Sequence, residues 1–106
     1  MPDRRYSITI NPRNGYEMPG WVPPDFGCII SEPSSLIQAG QTDRKGLVWI
    51  RANGAELTHP VFAHIALLPP PPIVMPEIAY IDALVWSKLA EHHISQGDVN
   101  VHVVRV

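Results

Sequence analysis

Histidines supply most of the reactive chemistry in this sequence, which contains five of them: His59, His64, His92, His93 and His102. A catalytic zinc site needs three such ligands around one open position. The spacing argues against that arrangement, because His59 and His64 are an odd number of residues apart and would point to opposite sides of a strand. His92 and His93 would diverge by about 100° on a helix, and the chain has no HExxH or paired CxxC motif. We therefore predict neither a metal nor another cofactor.

Folding could still collect four polar side chains in one pocket: His64, Asp82, His93 and His102. Apolar surroundings raise the pKa of a carboxyl group such as that of Asp82, and perturbed groups concentrate at functional sites. On one helix Asp82 and His93 would lie about 16 Å apart at 1.5 Å per residue, too far to form a dyad. A small enzyme with such a pocket, hydrolytic or isomerising and with or without a metal, is therefore an alternative function rather than the leading one.

Cys28 is the only cysteine, so the chain cannot form an intramolecular disulfide. Its apolar neighbours predict a small buried hydrophobe in a reducing compartment. The residues after Met1 alternate in polarity, which is not typical of a signal peptide. Segment 57–76 is uncharged and long enough to span a membrane, but its six prolines are incompatible with a helix in lipid. We expect a cytoplasmic protein.

The chain is poor in charge and rich in proline. Charged residues make up 17% of the sequence, where about 25% is typical of soluble domains. The formal net charge is -2, which offers no electrostatic attraction for nucleic acid or for an anionic membrane. We therefore expect neither as a partner, and we expect part of the protein surface to be uncharged.

The apolar periodicity predicts one α+β domain over residues 1–106, with elements in the order β-β-β-β-α-β. The predicted architecture is a mainly antiparallel sheet of four or five strands, packed by one long C-terminal helix. The predicted strands are residues 6–10, 26–31, 47–52, 55–68 and 98–106, and the predicted helix is 76–95. Because Pro60 cannot donate a ladder hydrogen bond, the strand within 55–68 either begins after Pro60 or lies on an edge there. Between strands, residues 32–45 are expected to form a loop and residues 69–72 a polyproline crossover.

Two signals locate the ends of these elements. The dipeptide Asn53-Gly54 suits a type I′ turn, because both residues tolerate positive φ, and it predicts a hairpin. Gly97 is the expected end of the helix, since glycine favours the left-handed conformation that follows many helices.

A partner surface is suggested by the helix and by one loop. The helix is apolar almost all round, so Tyr80 and Leu84 are predicted to lie on a side that the sheet cannot cover. In the proline-stiffened segment 17–24, Trp21 with Val22 and Pro23 is predicted to form an exposed anchor for another protein. The low charge and the two-sided helix predict self-association, most simply as a dimer.

These observations favour a non-enzymatic binding or assembly module, such as an accessory factor, an inhibitor or a structural subunit of a bacterium or bacteriophage. Its predicted partner is another protein, a second copy of itself, or both. The enzyme described above and a small-ligand-binding module are the alternatives. A polar cleft with converging side chains would favour the enzyme, and a closed apolar pocket would favour the ligand-binding module.

Overall fold

The apolar pattern produces five strands and one helix in the computed structural model, which describes residues 3–31, 45–63, 65–68 and 71–106. The predicted α+β class and the element order β-β-β-β-α-β are confirmed. The elements are β1 (Arg4–Pro12), β2 (Phe26–Ser31), β3 (Gly46–Arg51), β4 (Ile65–Leu67), α1 (Glu77–Glu91) and β5 (Val99–Arg105). Among the described residues, no helix has the length and apolar character that crossing a membrane requires.

The five strands form one antiparallel sheet in the order β4-β3-β2-β1-β5. Directly paired residues share a face, so the pairs Tyr6 with Cys28 and Cys28 with Trp49 lie on the same side of the sheet. This inner face carries the apolar half of each alternating strand and meets α1. Since β5 pairs only with β1, it lies at one edge of the described sheet.

The core lies between the inner face and two covering segments, α1 and the loop that precedes β4. From the loop, Leu57 and Phe62 insert into the core. From α1, the buried residues are Tyr80, Ile81, Val85 and Leu89. The predicted exposure of Tyr80 is therefore wrong, while Leu84 is half-buried against the core. A helix that is apolar almost all round offers several equivalent faces, so periodicity alone could not choose the buried one.

The helix ends earlier than predicted, at Glu91, and Gly97 plays no part in ending it. His93 adopts the left-handed conformation instead, with φ of 63°. The amide of His93 donates to the Ala90 carbonyl, and the amide of Ile94 donates to the Leu89 carbonyl. These two bonds form a Schellman motif, in which the buried Ile94 packs where the motif usually places an apolar residue.

Replacing His93 by glycine is expected to raise the free energy of unfolding by about 0.5 kcal/mol, because glycine adopts positive φ without strain. Chemical denaturation at pH 7 measures the change. His92→Gly is the control: its φ is -109° and its ring contacts Trp21, so this change should destabilise. A loss of stability in both variants would contradict the proposed strain at His93.

The hairpin after β3 also differs from its prediction. Gly54 has φ of +86°, but Asn53 has no positive φ, so the type I′ assignment is wrong. The bonds from Gly54 N–H to the Arg51 carbonyl and from Arg51 N–H to the Ala55 carbonyl close a three-residue loop with glycine in the left-handed position. The predicted long strand over 55–68 is reduced to one bridge at Glu56 and to β4. In between, the chain leaves the sheet to fill the core.

Candidate functional site

Of the four polar residues predicted to form a pocket, the three that the structure describes, Asp82, His93 and His102, are not brought together. His102 lies on the outer face of β5, because Val101 and Val103 on either side of it face the helix. Asp82 and His93 belong to the helical layer on the opposite side of the sheet. No group of three metal-binding side chains occurs in the described ranges, and His64 lies outside them. Asp82, His93 and His102 therefore provide no acid-base pair.

The predicted loop anchor packs against its own subunit. Val22 and Pro23 are buried, and Trp21 is half-buried with its ring 4.6 Å from that of His92. The expected exposure of the Trp21 indole is therefore not observed. These side chains join the segment before β2 to the end of α1, and reaching a partner would require them to leave the core.

The buried thiol of Cys28 is unsuited to nucleophilic chemistry. Its side chain is fully enclosed on the inner face of β2, as the sequence predicted. Burial, with a smaller contribution from the charge of Glu77, raises the pKa of the Cys28 thiol to about 12. The thiolate needed for attack or for metal binding is therefore absent near neutral pH.

One hollow in the described part of the chain has a volume of about 470 Å³ and is open to solvent. Its lining includes Asp25, Arg51 and His59. Asp25 has an unusual φ of 49°, and its carbonyl accepts a hydrogen bond from the Ala52 amide, which accounts for that conformation structurally. The Nδ1 atom of His59 accepts the Val61 amide, so it is already occupied. This hollow is not the closed apolar pocket expected of a small-ligand module.

A polar cluster that the sequence did not reveal surrounds Glu77, the first residue of α1. Its carboxylate accepts hydrogen bonds from Arg4 Nε at 2.6 Å, Arg4 Nη2 at 2.9 Å, the Tyr6 hydroxyl at 2.5 Å and Lys45 Nζ at 3.1 Å. Burial alone would raise the pKa of Glu77, but the bonds from Arg4, Tyr6 and Lys45 outweigh it and lower the pKa to about 2. A carboxylate with so low a pKa is a poor general base. We therefore assign this cluster a structural role, in which it connects the start of α1 to β1 and to the residue before β3.

Within the described residues, β5 has backbone hydrogen-bonding groups along the sheet edge that are not paired. Bonds from Val106 N–H to the Arg5 carbonyl and from Arg13 N–H to the Asp98 carbonyl flank the strand. Because alternate residues bond to the same neighbour in an antiparallel pair, the even-numbered residues of β5 bond to β1. The backbone N–H and C=O groups of Val101, Val103 and Arg105 therefore point away from the described sheet.

One flank of α1 borders this edge. The other flank faces the interior strands and loops, because Glu77 bonds to Lys45 before β3 and His92 contacts Trp21. Helical periodicity puts Asp82, Trp86 and Ala90 on the flank opposite Glu77, and α1 packs against β5, so we infer that this flank faces the open edge. His93 follows just beyond the end of the helix. We call the space between this flank and the outer backbone of β5 the edge groove. A hollow of about 440 Å³ lies at the end of the helix and is lined by residues of α1 and of the connection that follows it: Trp86, Ala90, His93, Ile94, Ser95 and Gln96.

Asp82 is the unusual side chain of the edge groove. It is half-buried, and within the described structure its carboxylate has no hydrogen bond or ion pair. Burial raises the pKa of this carboxyl above its ordinary value. Trp86, one turn further along, is half-buried against the core and keeps part of its ring accessible.

The described site therefore combines free strand backbone, an accessible aromatic ring and one carboxylate without a countercharge. This combination can bind an extended chain, but it contains no assembled catalytic group. Sequence patterns identified Asp82 and His93 as unusual, but they did not place them beside β5. A scan against protein-family models, a search of curated proteins and a search of solved structures each found no match to this chain.

Proposed function

We propose that this protein is a non-enzymatic protein-binding module that accepts an extended segment of a partner as an additional strand beside β5. The observation that carries the proposal is the outward-facing backbone of Val101, Val103 and Arg105 at the end of the sheet. Strand addition satisfies such groups directly, and the neighbouring helix flank supplies contacts to alternate side chains of the added strand. The low charge of the chain suits an interface of this type.

Within the described residues, β5 has little of the usual protection of an exposed edge. Its seven residues contain no proline and no lysine, it pairs with β1 in an unbroken register, and Arg105 is its one charged side chain. Natural edge strands are usually short, charged, bulged or covered, because an open edge pairs with other chains. At the end of β5, Val104 and Val106 are 40% and 75% exposed. A partner strand would remove water from apolar surface as well as satisfy backbone groups.

A second copy of this chain is the simplest alternative occupant, and it would make the module a dimer. Such pairing is self-complementary, since β5 of each copy offers the same edge. A cytoplasmic protein partner, with neither nucleic acid nor membrane involved, remains the expectation from the net charge of -2. Sedimentation velocity at micromolar concentration separates the two cases, because a dimer doubles the mass of 11.8 kDa.

The proposal is tested by selecting peptides from a displayed random library on the immobilised full chain, followed by amide hydrogen exchange with each selected peptide at saturation. We expect the exchange of the amides of Val101, Val103 and Arg105 to slow by at least about tenfold. The His102 amide, which already points toward β1, is the internal reference and should change little. A selection without binders, or binders that leave these three amides unprotected, would overturn the proposal.

A further inference from the structure

Resting on the proposed function, we propose that the segment bound in the edge groove carries a lysine or arginine beside Asp82 and a large apolar residue four positions further toward its C-terminus. The segment runs antiparallel to β5, with its intermediate helix-facing side chain against Trp86. The partner is thus an extended protein segment of the pattern basic-x-x-x-apolar.

The charge of the partner follows from Asp82. This carboxylate is half-buried and has no hydrogen bond or ion pair in the described part of the chain. A strand added beside β5 would remove it further from water, which is costly for a charge unless a countercharge arrives with the strand. A basic side chain on the helix-facing side of the added strand supplies that charge, whereas an acidic one would repel.

The spacing of four residues between the basic and the apolar side chain follows from the rise per residue of a helix and of a strand. Asp82 and Ala90, which is one of the residues that line the 440 Å³ hollow, are eight residues apart on α1, or about 12 Å along the helix axis. A strand advances about 3.3 Å per residue, so it covers that distance in about four residues. An even number is required for both side chains to face the helix. The hollow beside Trp86 and Ile94 is apolar enough to receive a leucine-sized side chain.

The order of the pattern follows from chain direction. α1 and β5 pack against each other and are joined by the short connection 92–98, so they run in opposite directions. A strand antiparallel to β5 runs with α1 and meets Asp82 before the hollow. All described strand pairs are antiparallel, and this arrangement extends the same hydrogen-bond pattern.

An added strand that runs antiparallel to β5 is also an argument against a second copy of this chain as the bound segment. Helix-facing residues of β5 are the odd-numbered ones, and Arg105 is the only cation among them. In an antiparallel pair, Arg105 of the second copy would lie at the His93 end of the groove, away from Asp82. The carboxylates of both copies would then be desolvated without a countercharge.

The test uses three capped peptides. The probe is Lys-Thr-Val-Thr-Leu-Thr, the second peptide has Glu in place of Lys, and the third has the reversed order Thr-Leu-Thr-Val-Thr-Lys. Binding to the full chain is followed by NMR titration at low salt, which reports both affinity and the β5 amides. We expect the Lys peptide to bind at least about fivefold more tightly than either of the others, as for a partly buried ion pair.

Two variants test whether the preference for the Lys peptide depends on the charge of Asp82. Asp82→Asn should reduce the difference between the Lys and Glu peptides to within about twofold and should fold normally, because it removes a charge that has no partner. Glu91→Gln is the matched control, since Glu91 is exposed and outside the groove, and the preference should persist. Thermal melts of both variants verify folding.

The outcomes separate the two proposals. Peptides that protect the β5 amides without a preference for lysine would overturn this inference and leave strand addition intact. The inference also fails if the preference survives Asp82→Asn, if Glu91→Gln abolishes it equally, or if the reversed peptide binds more tightly. If no probe or selected peptide protects those amides, the proposed function fails as well.

Discussion

Gly27→Ala is expected to lower the free energy of unfolding by at least about 3 kcal/mol, enough to unfold a large fraction of a marginally stable domain at 37 °C. Gly27 lies in β2 opposite Ser7 of β1, where the two backbones approach closely. A Cβ atom added there would collide with the carbonyl oxygen of Tyr6. That oxygen belongs to the backbone, so no side-chain rotation relieves the clash and the two strands would have to separate. Urea denaturation at 25 °C followed by tryptophan fluorescence measures the loss.

Gly20→Ala is the matched control for this prediction. The same added atom would meet nothing within 4 Å at Gly20, in the loop before β2. Its free energy of unfolding should stay within about 0.5 kcal/mol of the parent value. Equal stability of the Gly27 and Gly20 variants would show that β1 and β2 can separate without cost, and the close approach would lose its importance.

The sequence predicted best those features that depend on neighbours along the chain. β2 spans residues 26–31 as predicted, because a short apolar run is bounded on both sides by turn-forming residues. The end of α1 was missed, because a histidine takes the left-handed position that glycine usually occupies. The long strand over 55–68 was wrong, because its alternating pattern is equally compatible with a loop that inserts Leu57 and Phe62 into the core.

The candidate site depends on contacts that no local pattern encodes. β5 is an edge strand because it pairs with β1 from the other end of the chain and with no other described strand. That pairing decides which backbone groups are free, and therefore where a partner can add. Asp82 was recognised as unusual from its apolar surroundings, but the inference that it faces this edge requires the helix orientation, which the Glu77 contacts fix in part.

The ion pairs of Glu77 are likewise contacts between distant residues that a local sequence pattern cannot predict. Its position after Pro76 predicts only the start of a helix, where a carboxylate interacts favourably with the helix dipole. Its partners Arg4, Tyr6 and Lys45 are 73, 71 and 32 residues away in sequence. Because these contacts join parts of the chain that are distant in sequence, they are expected to contribute strongly to stability.

Glu77→Gln should therefore lower the free energy of unfolding at pH 7 by about 2 kcal/mol. The change removes the charge that Arg4 and Lys45 share but keeps the size of the side chain. The lowering of the Glu77 pKa from 4.5 to about 2 corresponds to about 3 kcal/mol, and partial exposure of Arg4 and Lys45 to solvent reduces this to about 2 kcal/mol. Urea denaturation of both proteins measures the difference.

The pH dependence gives this prediction its distinctive signature. A carboxyl group whose pKa is lower in the folded state stabilises the fold fully above its unfolded pKa, here near 4.5, and loses that contribution as the pH falls through the folded value near 2. The stability difference between the parent and Glu77→Gln should therefore be constant from pH 7 to about pH 5 and should shrink toward pH 2. Glu91→Gln, at an exposed site with one long contact to Lys88, should show almost no difference over the whole range. If the Glu77 difference does not change down to pH 2, its stabilising effect comes from side-chain packing rather than from the charge that Arg4 and Lys45 bind.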